Sequence, residues 1–347
     1  MTLTRTRLAR LATPALAVAL LASVIVTVSL GVAGIGPAEV WRIVADHLGG
    51  GDSGATPTSD AIVWHLRMPR VLTAALVGAG LAIAGVVMQG LTRNPLADPY
   101  LLGLSSGASL GAVGVLLLGI GSSLALSAAL PVAAFIGALL ALAGALGIAR
   151  MAGSLAPTSV VLAGLAVSQF FAAATSLVIV MTAKGDAYRQ VLSWLLGSLA
   201  GATWANVGIA SAALLVVVPV VRSHASHLDA MALGDSAAEA LGISTRRTRL
   251  LLFIAVSLLT GAMVSTSGAI GFVGLILPHL VRGIVGGLHR HVLPAAAMGG
   301  AVFLMWADTL ARTALDPREI PVGIVTALVG VPVFVVVLRR ARGSAWW

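Results

Sequence analysis

VLTAALVGAGLAIAGVVMQGLT, residues 71–92, runs for 22 residues without a formal charge. Arg67-Met68-Pro69-Arg70 precedes it and Arg93-Asn94-Pro95 closes it. An ionised side chain is expensive at the centre of a bilayer, and a helix of about 20 apolar residues crosses the hydrocarbon. Gly78, Gly80, Gly85 and Gly90 recur along the run, as suits close helix packing in lipid. The stretch predicts a transmembrane helix. A porin-like barrel strand would instead alternate apolar and polar residues over about ten positions.

The rest of the chain has the same character. Of 347 residues, 59% are hydrophobic and only 10% are charged, and the mean hydropathy is +1.03. Soluble domains carry roughly 25% charged residues, so this chain has too little charge to cover a water-facing surface. Absence of cysteine excludes disulfides, thiolate metal sites and cysteine nucleophiles. A net charge of +9 would suggest nucleic acid in a soluble protein. Here the basic residues sit in short loops between apolar runs, which is a topological signal, and no nucleic-acid partner is expected.

Working outward from residues 71–92, charge-free runs mark further spans. Residues 11–38 form the first, behind Arg5, Arg7 and Arg10. This run exceeds the roughly 7–15 apolar residues of a signal peptide and reads as a retained helix. Residues 39–65 are polar and Gly-rich. Residues 99–149 hold two spans broken near 119–123, and residues 151–183 hold another. Residues 190–221 predict a short peripheral helix and one span. Residues 250–281, interrupted at 265–268, predict two shorter spans. Residues 292–311 and 320–338 complete the set. The expectation is an all-α, polytopic membrane protein of about ten helices in a single domain over residues 1–347. With the N-terminus inside the cell and alternating spans, 14 of the 21 basic residues fall inside and 7 outside. That bias predicts both termini in the cytoplasm.

Few segments carry chemistry. The only lysine, Lys184, lies in Ala183-Lys184-Gly185-Asp186. It has none of the glycine spacing with which a P-loop cradles phosphates. No nucleophile–base set, paired carboxylates or metal-spaced cluster converges, so neither an enzyme nor a resident metal or cofactor is expected. The polar insert near residues 229–243 contains Ser236-Ala237-Ala238-Glu239, with capping-box spacing, and Gly242 at the expected helix end. It reads as a short helix outside the membrane, suited to docking a cytoplasmic partner. Asp308 falls within a span, and Arg312 one turn on is the expected partner that neutralises it. Thr158 and Ser159 follow Pro157 at a span start and read as a helix cap. His279 after Pro278 reads as a packing residue at a helix break.

Several of these stretches together resemble one family. Arg67-Met68-Pro69-Arg70, then Gly85 to Gly90 with Gln89, then Arg93 through Pro99 with Asn94 and Pro95, and Leu102 through Ala108 look like the FecCD-type permeases. The likeness resumes at Ala232-Leu233-Gly234 with Ala240-Leu241-Gly242. It continues through Gly268 to Leu275 with Gly271, through Pro278-His279, and through Pro321-Val322-Gly323 with Pro332-Val333-Phe334.

The resemblance implies the membrane subunit of an importer for vitamin B12, haem or ferric siderophores, the last being the expected cargo. It implies a pair of such subunits, identical or different, two cytoplasmic ABC ATPases and an external solute-binding protein. It assigns Arg67, Arg70 and Arg312 to docking of the binding protein. ATPase coupling falls to Ala232, Leu233, Gly234, Asp235, Ser236, Glu239, Ala240, Leu241 and Gly242, and the inner gate to Thr158 and Ser159. Gln89, Asn94, Pro95, Gly271, Pro278 and His279 form the structural motif. A secondary transporter, the alternative from another class, would need several polar groups at mid-membrane.

Overall fold

The computed structural model describes residues 2–31, 33–51, 54–121, 125–153 and 156–341. All regular structure among them is helical. Helix α1 spans Thr2–Ser29 and α2 Pro37–Gly49. Helix α3, Pro57–Asp60, continues through π-helical turns at Ala61–Arg67 into α4, Met68–Thr92. After a short 3₁₀ turn at Pro99–Leu102 come α5 (Leu104–Leu118), α6 (Leu126–Met151), α7 (Pro157–Thr182) and α8 (Asp186–Leu195). Then follow α9 (Trp204–Ser223), α10 (Ala225–Ala232), α11 (Asp235–Ala240) and α12 (Thr245–Ser267). Helices α13 (Val273–Val285), α14 (His289–Thr313) and α15 (Val322–Ala341) close the chain.

Local chemistry sets many of these ends. Proline stands in the first turn of α2, α3 and α7, where its missing N–H costs nothing. The side chain and backbone of Thr203 exchange contacts with Asn206 in a capping box that starts α9. Seven segments among the described residues are long and apolar enough to cross a membrane, and three shorter apolar helices, at 104–118, 273–285 and 322–336, bring the set to ten.

The first span differs from the run drawn on hydropathy. The helix covers 2–29 rather than 11–38, because the arginine-bearing N-terminus stays helical beyond the apolar stretch. Past Ser29, Gly34 and Gly36 leave the helix, and Pro37 begins a new one. The polar stretch after it is also partly helical, as α2. Residues 245–267 form one full-length helix, so only its successor, α13, is short.

Helix α4 is the centre of the bundle, and nearly four-fifths of its apolar span is buried. Two glycines explain how. A Cβ on Gly78 would lie 2.2 Å from the carbonyl oxygen of Gly300 in α14, and one on Gly85 would lie 1.9 Å from that of Gly274 in α13. Only glycine permits these backbone-to-backbone contacts. Helices α6, α7 and α9 turn Leu140, Val180 and Leu215 outward, as lipid requires.

The bundle has two polar ends. The far end gathers the C-termini of α1 and α14 and the N-termini of α4 and α9. The near end gathers the C-termini of α4 and α9, the N-termini of α12 and α14, and the short helices α10 and α11.

Candidate functional sites at the two ends of the bundle

At the far end, Arg67 and Arg70 lie three residues apart on one helix face, just where the π-helical turns give way to α4. The side chain of Arg67 is buried and donates to the carbonyls of Ala33 at 2.9 Å and of Val28 and Ser29 at 3.4 Å. It closes the open C-terminus of α1, whose last carbonyls lack helical partners. Arg70 holds Asp308 with three donor contacts of 2.9–3.1 Å and reaches Glu319 at 3.1 Å. Asp308 is only 1% exposed.

The expected i,i+4 pairing of Asp308 with Arg312 is present as a longer ion pair, and Arg70 is the closer partner. The Nε of Arg312 stays 3.8 Å from Asp308, and its Nη2 donates to the carbonyl of Thr27 at 2.6 Å. The i,i+4 spacing brings Arg312 near, but Arg70 from α4 supplies the planar fork that a carboxylate favours. All three arginines, with Glu319, Ile62 and Leu66, line a pit of about 340 Å³ at the far end. Arg67 and Arg312 are thus cationic, buried and bonded to backbone, and the side chain of Glu319 is 46% exposed at the rim.

At the near end, α10 and α11 join through Leu233 and Gly234. Gly234 has φ +113° and caps α11 without a side chain. The capping box expected at Ser236 is not formed: the helix starts one residue earlier, and Glu239 accepts instead from the Thr245 hydroxyl at 2.7 Å. That bond ties α11 to the start of α12. Asp235 accepts two bonds of 3.0 Å from Arg249 and lies 3.7 Å from Arg93 at the end of α4. Asp229 accepts from the side chain of His289 at 2.6 Å and from its backbone N–H at 3.0 Å, joining α10 to α14. Burial pushes the Asp229 carboxyl up. The His289 hydrogen bonds and the charges of His289 and Arg290 outweigh that and hold it below the usual carboxylate range.

What remains outward is mostly apolar, with Ser236 and Glu239 among the exposed residues. Leu233 is 76% exposed and Leu241 67%, and Ala232, Ser236, Ala240 and Gly242 are exposed around them. Gly242 takes φ +80° just past the helix and its N–H meets the Glu239 carbonyl at 2.9 Å.

Thr158 is exposed and Ser159 half-buried in the first turn of α7, where Pro157 and no side-chain cap begins the helix. Gln89 is buried and donates to the Leu275 carbonyl at 3.1 Å, while its own carbonyl accepts from Arg282. It fastens α4 to α13 beside the Gly85–Gly274 contact. The Asn94 side chain accepts from Leu96 N–H at 2.9 Å, turning the chain at Pro95. Pro278 is buried inside α13 and His279 half-buried beside it. Gly271 lies in the connection between α12 and α13.

Sequence reasoning passed over Tyr100. Its hydroxyl donates to the Ile270 carbonyl at 3.0 Å and accepts from the Ile270 N–H at 3.1 Å, pinning that connection to the turn after α4. Asp98 caps the same turn through Tyr100 N–H at 2.9 Å. Burial raises the Asp98 carboxyl to about 6 against the lowering effect of that bond. Burial and the Asp98 charge push the Tyr100 phenol up. Among the described residues no three His, Asp or Glu side chains gather around one point.

The comparisons with known proteins agree with this architecture. The FecCD transport family is matched over residues 19–340. The hemin transport system permease of Yersinia pestis is 40% identical over 293 residues, covering 83% of this chain and 86% of that one. The cobalamin import system permease of Halobacterium salinarum is 42% identical over 288 residues, 82% of this chain and 75% of its own. A solved metal-chelate type ABC transporter in an inward-facing conformation superposes with a TM-score of 0.82 at 29% identity, covering 94% of this chain and 98% of that chain. Ten apolar helices, a fold shared almost end to end and this kinship together place the chain in the FecCD transport family, as a multi-pass membrane permease of the ABC-importer kind.

Proposed function

We propose that this permease pairs with a second permease subunit and passes a ferric siderophore inward between them. ATP is hydrolysed by two ABC ATPases docked at the near end, and cargo is delivered by a solute-binding protein docked at the far end. The observation that carries this reading is the braced near-end helix. Leu233 and Leu241 stand in solvent outside the spans, while Asp235 and Glu239 bond α11 to α12. Burying one such leucine against a partner contributes about 1.5–3 kcal/mol, and the braces make the patch move with the bundle. The excess of basic residues at this end supports its placement in the cytoplasm, with both termini. Iron-chelate cargo is supported by kinship to permeases named for hemin and for Fe(3+) dicitrate, and haem or cobalamin follows from the same kinship.

The far-end pit gives the docking role of Arg67, Arg70 and Arg312 its form. An acidic side chain of the binding protein enters the pit and displaces Glu319 from Arg70, so the arginines act from inside the surface. Thr158 and Ser159, at the near end of α7, form the inner gate. Gln89, Asn94, Pro95, Gly271, Pro278 and His279 keep the α4–α13 packing and its loops. A secondary transporter finds less support, because the buried intramembrane acid, Asp308, is already committed to Arg70.

The test is co-reconstitution with candidate ATPase and binding protein in proteoliposomes, following ATP-driven uptake of ⁵⁵Fe-siderophore. Leu233→Arg is expected to abolish uptake and ATPase recruitment while the folded protein persists. Wild-type uptake by that variant, or uptake by the chain alone driven by an ion gradient, would sink the proposal.

A further inference from the structure

A second pit of about 340 Å³ opens at the far end, next to the arginine pit and sharing Ala200 with it as a common wall. It is built from the C-terminal ends of α5 and α12, the start of α6, helix α8 and the connection into α9. Its chemistry is the opposite of its neighbour's. No lining side chain among the described residues carries a formal charge. Arg189 and Asp186 of α8 stay on the exposed surface and outside the lining.

Of the polar groups that line it, Asn206 is held by Thr203 and Thr266, Ser198 accepts from Ala200 N–H, and the rest are of two kinds. Ser265, Thr266 and Ser267 are buried, and their hydroxyls donate to the carbonyls of Ala262 and Met263 at 2.8–2.9 Å. Their donors are therefore spent within α12. Gln190 and Ser193 face them from α8 and make no side-chain hydrogen bond among the described residues. Their amide and hydroxyl are both donors and acceptors, free for a ligand. Trp194 completes this side of the lining.

We infer that this pit is a receiving site for an uncharged metal chelate whose rim presents carbonyl oxygens and N–O groups, the chemistry of a neutral ferric trihydroxamate. The inference rests on the importer reading and narrows its cargo. A chelate carrying net negative charge loses hydration on entry and meets no cation in these walls, which is costly. A neutral chelate keeps its iron charge cancelled by its own three ligands and asks only for hydrogen bonds, which Gln190 and Ser193 supply. The uncompensated positive charge lies next door, where a protein carboxylate is to dock. Protein docking and cargo reception are thus separated by charge across one loop.

The experiment uses the full chain in lipid nanodiscs and equilibrium binding of three ⁵⁵Fe probes: a neutral trihydroxamate, ferric citrate and a triply negative tricatecholate. Saturable binding is expected for the trihydroxamate and at least about tenfold weaker binding for the two anions. Gln190→Ala and Ser193→Ala, whose side chains hold nothing in the fold, are each expected to weaken trihydroxamate binding about three- to tenfold, the worth of one hydrogen bond. Gln190→Arg is expected to move the preference toward the tricatecholate. Equal binding of neutral and anionic probes, or unchanged binding in the Gln190→Ala/Ser193→Ala double variant, would overturn the site. ATP-driven chelate uptake that persists alongside that result leaves the importer reading standing. Absence of uptake for every chelate class, with trihydroxamate binding intact, counts against the importer reading and not against the site.

Discussion

Asp308 is replaced by alanine, leaving Arg70 buried in the bundle without the carboxylate that now accepts three of its donor contacts at 2.9–3.1 Å. The side chain of Arg70 is only 12% exposed and that of Asp308 2%, so solvent replaces little of what is lost. Removing one member of a buried pair costs about 3–5 kcal/mol, chiefly from the stranded charge. Replacing both with apolar residues of like size costs far less. Arg70→Met/Asp308→Leu is therefore expected to recover most of the loss, with a coupling energy above about 2 kcal/mol. Glu319 provides the internal control. Its side chain is 46% exposed, so Glu319→Gln is expected to cost under about 1 kcal/mol. Reversible unfolding of the purified full chain in mixed micelles, titrated with SDS, gives these values, with Arg70→Met and Asp308→Leu measured singly to close the cycle. The reasoning is refuted if Asp308→Ala falls within 1 kcal/mol of the parent protein, or if the double variant loses the sum of the two single losses.

Gly85→Ala is expected to cost at least about 2 kcal/mol in the same assay, since its Cβ meets a backbone oxygen that cannot step aside. Gly147→Ala, in open space on α6, is expected to be neutral or slightly stabilising. Asp98 supplies a pH signature. Its folded carboxyl is raised to about 6, so the folded state holds its proton more tightly than the unfolded state. The contribution of Asp98 to stability is then fully present below about pH 4 and is lost as pH rises through about 6. Asp98→Asn, which retains a capping oxygen, is expected to remove that slope and gain about 2–3 kcal/mol at pH 7, seen in unfolding curves across pH 4–8. Glu239→Lys, which breaks the Thr245 bond outside the spans, is expected to leave thermal unfolding of the purified chain within a few degrees while uncoupling ATP hydrolysis from uptake in proteoliposomes.

The spans were legible because a bilayer punishes charge so heavily that uncharged runs mark helices directly, as residues 71–92 and 157–182 illustrate. Helix ends were less so. Arg5, Arg7 and Arg10 lie in α1 although they lie outside the apolar run, since a helix continues past the membrane wherever its backbone bonds do. The closer partner of Asp308 was out of reach for a different reason. Arg312 is visible at i+4, whereas Arg70 lies 238 residues away and only the packing of α4 on α14 brings it in. Glu239 follows the same logic, since three-residue spacing pointed it back to Ser236 and the fold of the loop offered Thr245 instead. The neutral pit draws on five separate segments, and no local pattern announces such a convergence.

The contacts of α4 and α14 have a mechanical consequence. The two helices are riveted at the far end by Arg70 and Asp308 and at mid-height by the Gly78–Gly300 backbone contact. At the near end Arg93 approaches Asp235 in α11, and His289 grips Asp229 in α10. Twenty-five residues of α4 span roughly 37 Å, so the pair is a strut running the height of the bundle, pinned at its foot to α10 and α11. Three of these joints are hydrogen-bonded or in backbone contact and only the exposed Arg93–Asp235 approach has slack, so a tilt applied at one end of the strut is expected at the other as a tilt.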